Sequence, residues 1–106
     1  MNERRRDRRV PVDIWIEAEE GDDLYLQHAA NLSVGGAFFA QTVPTKVGTE
    51  VKLKFELPGG GPEIHCTGAI VSAAEKGLGM GVRFLDLAES DRLRIEALIE
   101  RVGVEG

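Results

Sequence analysis

Between Val51 and Leu57 the chain alternates without a break: Val51, Leu53, Phe55 and Leu57 are apolar, while Lys52, Lys54 and Glu56 are charged. Successive side chains of a strand point to opposite faces, so this segment reads as a strand with one face on a core and the other in water. Pro58-Gly59-Gly60-Gly61-Pro62 must end it, because proline removes a ladder donor and glycine gains little from strand pairing. The same period of two begins at Val10, with Val10, Val12, Ile14, Ile16 and Ala18 on one face and Pro11, Asp13, Trp15, Glu17 and Glu19 on the other. Trp15 falls on the polar face, which predicts a cover over that face, such as a helix.

Turn-forming residues divide the rest of the chain into short strands. Glu20-Gly21-Asp22-Asp23 reads as a turn,. Leu24, Leu26 and His28 then alternate with Tyr25, Gln27 and Ala29 as a second strand. Asn31 to Gly36 has the composition of a tight turn, and Ala37 to Ala40 forms a short apolar strand after it,. Pro44 to Gly48 is a loop before the Val51 strand. Ile64 to Ala73 is the fifth strand, with Gly68 as a candidate bulge, and Lys76-Gly77 turns into a sixth carrying Met80, Val82 and Phe84,.

From about residue 87 to 102 the period changes. Leu87, Ile95, Leu98, Ile99 and Val102 share one helical face, Asp86-Leu87-Ala88-Glu89 resembles a capping box with Ser90 as an alternative cap, and Gly103 is a stop signal,. Six strands followed by one helix predict an all-β fold, a six-stranded antiparallel β-barrel with a C-terminal α-helix packed on it. The predicted layout is a basic arm over residues 1–9 and a single domain over 10–103.

Composition narrows the function. With 42% apolar and 29% charged residues, 106 residues suffice for a core without metal or disulfide,. The lone Cys66 has no internal partner, and its neighbour His65 faces the opposite side of a strand, so no metal site is expected there,. No apolar run is long enough for a membrane span and no apolar stretch follows the charged start, which together point to the cytoplasm. The net charge of −5 hides an asymmetry: residues 1–9 carry five arginines against Glu3 and Asp7, a local +3, which leaves −8 on the other 97 residues. So acidic a body opposes DNA or RNA binding, and an aromatic content of 6% opposes a small barrel that stacks single-stranded bases,. A basic arm on an acidic body suits a small anionic ligand, an acidic patch on a partner or a membrane surface. Neither a nucleophile–base pair nor an acid–base carboxylate pair stands out, so the chain is not expected to be an enzyme.

Two elements carry candidate chemistry. Arginine presents a permanently charged planar fork that matches phosphate oxygens and the acceptor edge of guanine, and Arg4, Arg5, Arg8 and Arg9 all lie in the arm. In Asn31-x-Ser33-x-x-Gly36 the short side chains offer donors and acceptors, while Gly35 and Gly36 allow positive φ and close approach of a ligand,. Taken singly, the arm reads as a solvated tail and the turn as a plain strand connection.

Taken together, Arg5-x-x-x-Arg9 before the first strand and Asn31-x-Ser33-x-x-Gly36 after the second resemble the bipartite RxxxR and (D/N)xSxxG signature of PilZ domains. The segments NLSVGGAFF and GMGVRFLDL are similar to those of myxobacterial PilZ paralogues, and the resemblance runs from residue 3 to about 102. It implies a cyclic di-GMP receptor that passes on a signal by changing shape, with an unknown downstream protein as partner and no metal or other cofactor. Arg5 and Arg9 would meet phosphates and guanine edges, and Asn31 and Ser33 a guanine at the barrel surface, with Gly35 and Gly36 letting the base approach. Arg4 precedes the motif, where an arginine tends to accompany two intercalated ligand molecules; Arg4-x-x-x-Arg8 is an alternative register. Asn31 stands where Asp is commoner. Arg83, opposite in phase to Met80, Val82 and Phe84 and near Gly79 and Gly81, should point outward and is a further candidate. The alternative reading is a PilZ-fold interaction module that binds no nucleotide.

Overall fold

The computed structural model describes residues 8–42, 45–73 and 78–105, with side chains described up to residue 102. Arg4 and Arg5, the Lys76-Gly77 turn and Pro44 lie outside the described residues.

Six strands follow in order: β1 (Val10–Glu20), β2 (Asp23–Leu32), β3 (Gly36–Ala40), β4 (Glu50–Phe55), β5 (Ile64–Ala73) and β6 (Met80–Phe84). One helix, α1, spans Glu89–Glu105. The strands pair antiparallel in the order β1-β2-β3-β6-β5-β4, and β4 returns to β1 to close the barrel. The alternation read from the sequence sets which residues fill it. Ile16, Ala29, Leu32, Phe39, Ile64, Ile70 and Val82 are buried inside, while Lys52, Glu56 and His65 face out. Ile95, Leu98 and Ile99 bring the helix onto the same core, with Leu87 and Val102 at its margin. Each such aliphatic side chain contributes about 1.5–3 kcal/mol by leaving water.

Several local expectations change on folding. Gly68 is not a bulge: it pairs regularly with Val51, and a Cβ there would come within 2.8 Å of Leu53 and Val82, so the glycine lets interior side chains meet. The irregularity of β5 falls instead between Ile70 and Ser72. Asp86 does not form a capping box. Its Oδ1 accepts from the Thr67 backbone N–H at 2.6 Å, and the Ala88 carbonyl accepts the first helical bond, from Arg92 N–H. Gly103 does not stop α1, which continues to Glu105. No helix covers Trp15, which remains 57% exposed, because α1 packs on the core through Ile95, Leu98 and Ile99 instead. Cys66 does lie inside, and burial, with the negative charges of Asp86 and Asp91 adding to it, pushes its thiol from the usual 9.0 up to about 12,. Among the described residues no helix is long and apolar enough to cross a membrane.

Candidate functional site

A change of phase in β2 creates the candidate site. Gln27 and Ala29 point inward, yet so does Leu32, three residues beyond Ala29. The strand therefore slips its alternation near Ala30, where its registers with both β1 and β3 shift,. Regular alternation would send Asn31 into the core. The slip leaves it half-buried on the outer face, opposite Pro11 of β1 and Phe38 of β3. Asn31 and Leu32 are thus strand residues, and the turn begins only at Ser33.

Arg9, exposed just before β1, reaches across this corner. Its Nη1 donates to Asn31 Oδ1 at 3.0 Å, which joins the two sequence motifs over 22 residues. One lone pair of the amide oxygen is thereby held by the guanidinium, and the Asn31 NH2 is turned away from it.

Ser33 has a different position from the one expected of a direct contact. It is 3% exposed and its hydroxyl closes the turn: Oγ accepts from Gly36 N–H at 3.1 Å and lies 3.3 Å from the Gly36 carbonyl, which also accepts from Ser33 N–H at 2.8 Å. Leu32 and Val34 on either side pack against the core and anchor the turn. Gly35 and Gly36 are not required for positive φ, since neither lies in the left-handed region. Gly36 is required for close approach to a neighbouring strand: a Cβ there would overlap the Val82 carbonyl and lie 3.1 Å from Arg83 Cα. Gly35 is exposed and uncrowded, since a Cβ there would meet only Ser33 Oγ at 4.0 Å, and its carbonyl accepts from Phe84 N–H at 2.8 Å, tying the turn to β6.

Arg83 does point outward and sits in register with Gly36. The space beside it is smaller than the glycines suggested, because the Phe38 ring lies where a Gly79 side chain would be, and Ser72 crowds Gly81. Among the sequence-derived candidates in the described residues, Arg9, Asn31, Gly35, Gly36 and Arg83 come to one outer corner over β1, β2, β3 and β6; Ser33 supports it from inside, and Arg8 is exposed beside Arg9. Sequence reasoning did not find Phe38, whose place beside Asn31 depends on the register slip. It also missed a cluster one step along the barrel, where His28 Nε2 meets Asp13 Oδ1 at 2.5 Å and its ring lies 5.0 Å from that of Trp15. A match of Asp13 and Trp15 to His28 across the first hairpin was the available signal. A separate pocket, lined by Glu17, Leu24, Lys54, His65 and Asp86 among others, touches none of the corner residues. No group of three metal-ligating side chains occurs among the described residues.

Residues 3–101 match the family described as the PilZ domain. The chain belongs to the PilZ domain family. Among solved structures it is similar to the inhibitor of motility from Bacillus subtilis, with a TM-score of 0.81 and 13% identity over 92% of this chain and 50% of that one. It is similar also to the PilZ domain of YcgR from Escherichia coli with c-di-GMP, with a TM-score of 0.76 and 16% identity over 96% of this chain and 93% of that one. A third, the MrkH–c-di-GMP complex of K. pneumoniae, has a TM-score of 0.78 and 20% identity over 96% of this chain and 53% of that one. The chain spans about half the length of the first and third of these and nearly all of the second. No curated protein matches it in sequence.

Proposed function

We propose that this PilZ domain is a cytoplasmic, non-enzymatic receptor for cyclic di-GMP, which it binds between the arginine arm and the corner built on Asn31, Gly35 and Gly36. The observation that carries the reading is the Arg9–Asn31 hydrogen bond, which brings the two halves of the signature to one surface. Solved PilZ relatives with c-di-GMP add support.

Each residue has a distinct task. Arg5 and Arg9 supply forks for phosphate oxygens and for guanine O6 and N7. Asn31, its oxygen engaged by Arg9, offers its NH2 to an acceptor on the base,. Ser33 holds the turn in shape from beneath, and open Gly35 leaves room for a flat base to lie on the backbone. Arg83, beside Gly36, and Arg8, beside Arg9, are placed to add charge at the rim. Arg4 would favour an intercalated pair of ligand molecules. Closure of the arm over the ligand changes the surface that a downstream protein reads.

Isothermal calorimetry with cyclic di-GMP tests this, with GTP and cyclic di-AMP as controls. Saturable and selective heat is expected, with the affinity weakened by about 10- to 150-fold in Arg5→Ala or Arg9→Ala, the worth of one charge-assisted bond. A stoichiometry of about two that drops to one in Arg4→Ala supports the pair. A folded protein with no heat at several temperatures, or arginine variants that bind like the parent, would overturn the proposal.

A further inference from the structure

The far end of the first hairpin has an unusual surface. β3 pairs with β2 only over His28–Leu32. Its next residue, Gln41, would lie beside Gln27, but adopts φ +57, a left-handed conformation uncommon outside glycine, at the point where β3 ends,. Among the described residues, Asp23–Gln27 therefore pairs with β1 on one side and with no strand on the other. Alternate N–H and C=O groups along a free antiparallel edge point outward and can template a further strand.

This edge is apolar where most edges are protected. Leu24, Tyr25 and Leu26 are all exposed, the two leucines at 63% each. Leu26 neighbours the exposed Trp15 on the outer face, since their cross-strand partners, Glu17 and His28, are two residues along. A depression bounded by Trp15, Leu26, His28, Ala40 and Gln41 opens directly beside the edge.

Charge identifies the occupant. The hairpin carries Glu17, Glu19, Glu20, Asp22 and Asp23, and no Lys or Arg occurs between Val10 and Thr45. Lys54 lies 3.5 Å from Glu17, and Lys52 is in register with Glu19, which leaves the tip acidic. A second copy docking edge to edge would bring two such acidic hairpins together, and like charges in close juxtaposition oppose association. A basic segment gains from the same field. The arginines of residues 1–9 precede Val10, at the opposite end of β1.

We propose that the free edge of β2 over Asp23–Gln27 is a docking site for an extended, basic segment of another protein, which adds to the barrel as a strand and lays apolar side chains against Leu26 and Trp15. Main-chain bonds supply affinity in this mode, and alternate side chains supply specificity. The site is separate from the nucleotide corner and does not depend on it.

Trp15 is the single tryptophan, so its fluorescence reports on this face alone. The test titrates the full chain with a synthetic peptide alternating lysine and valine, with a glutamate–valine peptide and an N-methylated lysine–valine peptide as controls. Expected are a saturable blue shift of Trp15 with the basic peptide only and slowed hydrogen exchange of amides within Asp23–Gln27. Leu24→Gln with Leu26→Gln, which removes the apolar anchor without changing the charge, should weaken that binding by about tenfold or more. Circular dichroism and cyclic di-GMP titration of the same variant separate this loss from misfolding and from failure of the nucleotide reading. No shift and no protection with the basic peptide, equal binding of the acidic or N-methylated peptide, or sedimentation showing that the edge pairs two copies would overturn the proposal.

Discussion

The two ends of the β1–β2 pair are built from the same kind of strand and present opposite chemistry. At the Val10 and Leu32 end the backbone is enclosed, with β1 on one side of β2 and β3 on the other, and its outer face carries Arg9, Asn31 and the small residues Gly35 and Gly36. At the Glu20 and Asp23 end β2 pairs, among the described residues, with β1 alone, and its outer face carries large apolar groups among carboxylates. The first end is suited to a small anion, because its recognising groups are side chains held on a fully bonded scaffold. The second is suited to a polypeptide, because its backbone is what remains to be bonded. Enclosure of the backbone therefore divides the hairpin into two recognition surfaces.

The largest effect is expected at Gly36. Gly36→Ala must push β3 from β6 or displace the Val82 carbonyl, and should cost about 1–3 kcal/mol, a fall of roughly 4–8 °C in Tm per kcal/mol for a domain near this size. Gly35→Ala, whose new Cβ would meet only Ser33 Oγ at 4.0 Å, an ordinary contact, should stay within about 0.5 kcal/mol by the same thermal melt,. Equal effects would mean that the turn, rather than the strand contact, sets the requirement. Arg9→Ala should weaken cyclic di-GMP by about 10- to 150-fold while leaving the basic peptide unaffected.

Cys66 reports on the core beneath the hairpin end. It pairs with Leu53, which pairs in turn with Ala18 of β1. With its pKa near 12 the thiol stays protonated at pH 8, so iodoacetamide should modify it slowly in the folded chain and quickly in urea,. Its folded pKa lies above the unfolded one. The associated stability is therefore fully present below about pH 9 and declines as the pH rises toward 12, which urea melts across that window should record,. Asn31→Asp sharpens the nucleotide end: a carboxylate keeps the Arg9 contact and accepts from guanine N–H groups, and calorimetry should show cyclic di-GMP bound about fivefold tighter. The smallest expected effect is that of Leu24→Gln with Leu26→Gln on cyclic di-GMP, which should stay within about twofold because the two surfaces lie at opposite ends of the β1–β2 ladder,.

Much of the architecture was legible because a period of two is a local property. The inward residues of β1, β4 and β6, the full extent of β5 and the apolar face of α1 all follow from side-chain alternation and helical spacing, which the chain carries in its own order,. The paired motifs were legible for the same reason. Places where two segments compete for one partner were not. Asp86 has the sequence of a helix cap, but the Thr67 N–H of another strand takes its carboxylate. Ser33 has a hydroxyl suited to a ligand, and the turn it closes occupies that hydroxyl.

By itself the sequence determined that this chain is a PilZ-type barrel with a terminal helix, and which side chains could serve a nucleotide, since strand phase and motif spacing are read residue by residue. Which of them share a surface, and where an edge of β2 goes unpaired among the described residues of the closed barrel, was settled only by tertiary pairing. The slip at Ala30 turns Asn31 outward toward Arg9, and the left-handed Gln41 ends β3 before it can cover Gln27. Both depend on how neighbouring strands pair, a relation between distant segments that no single stretch of sequence contains.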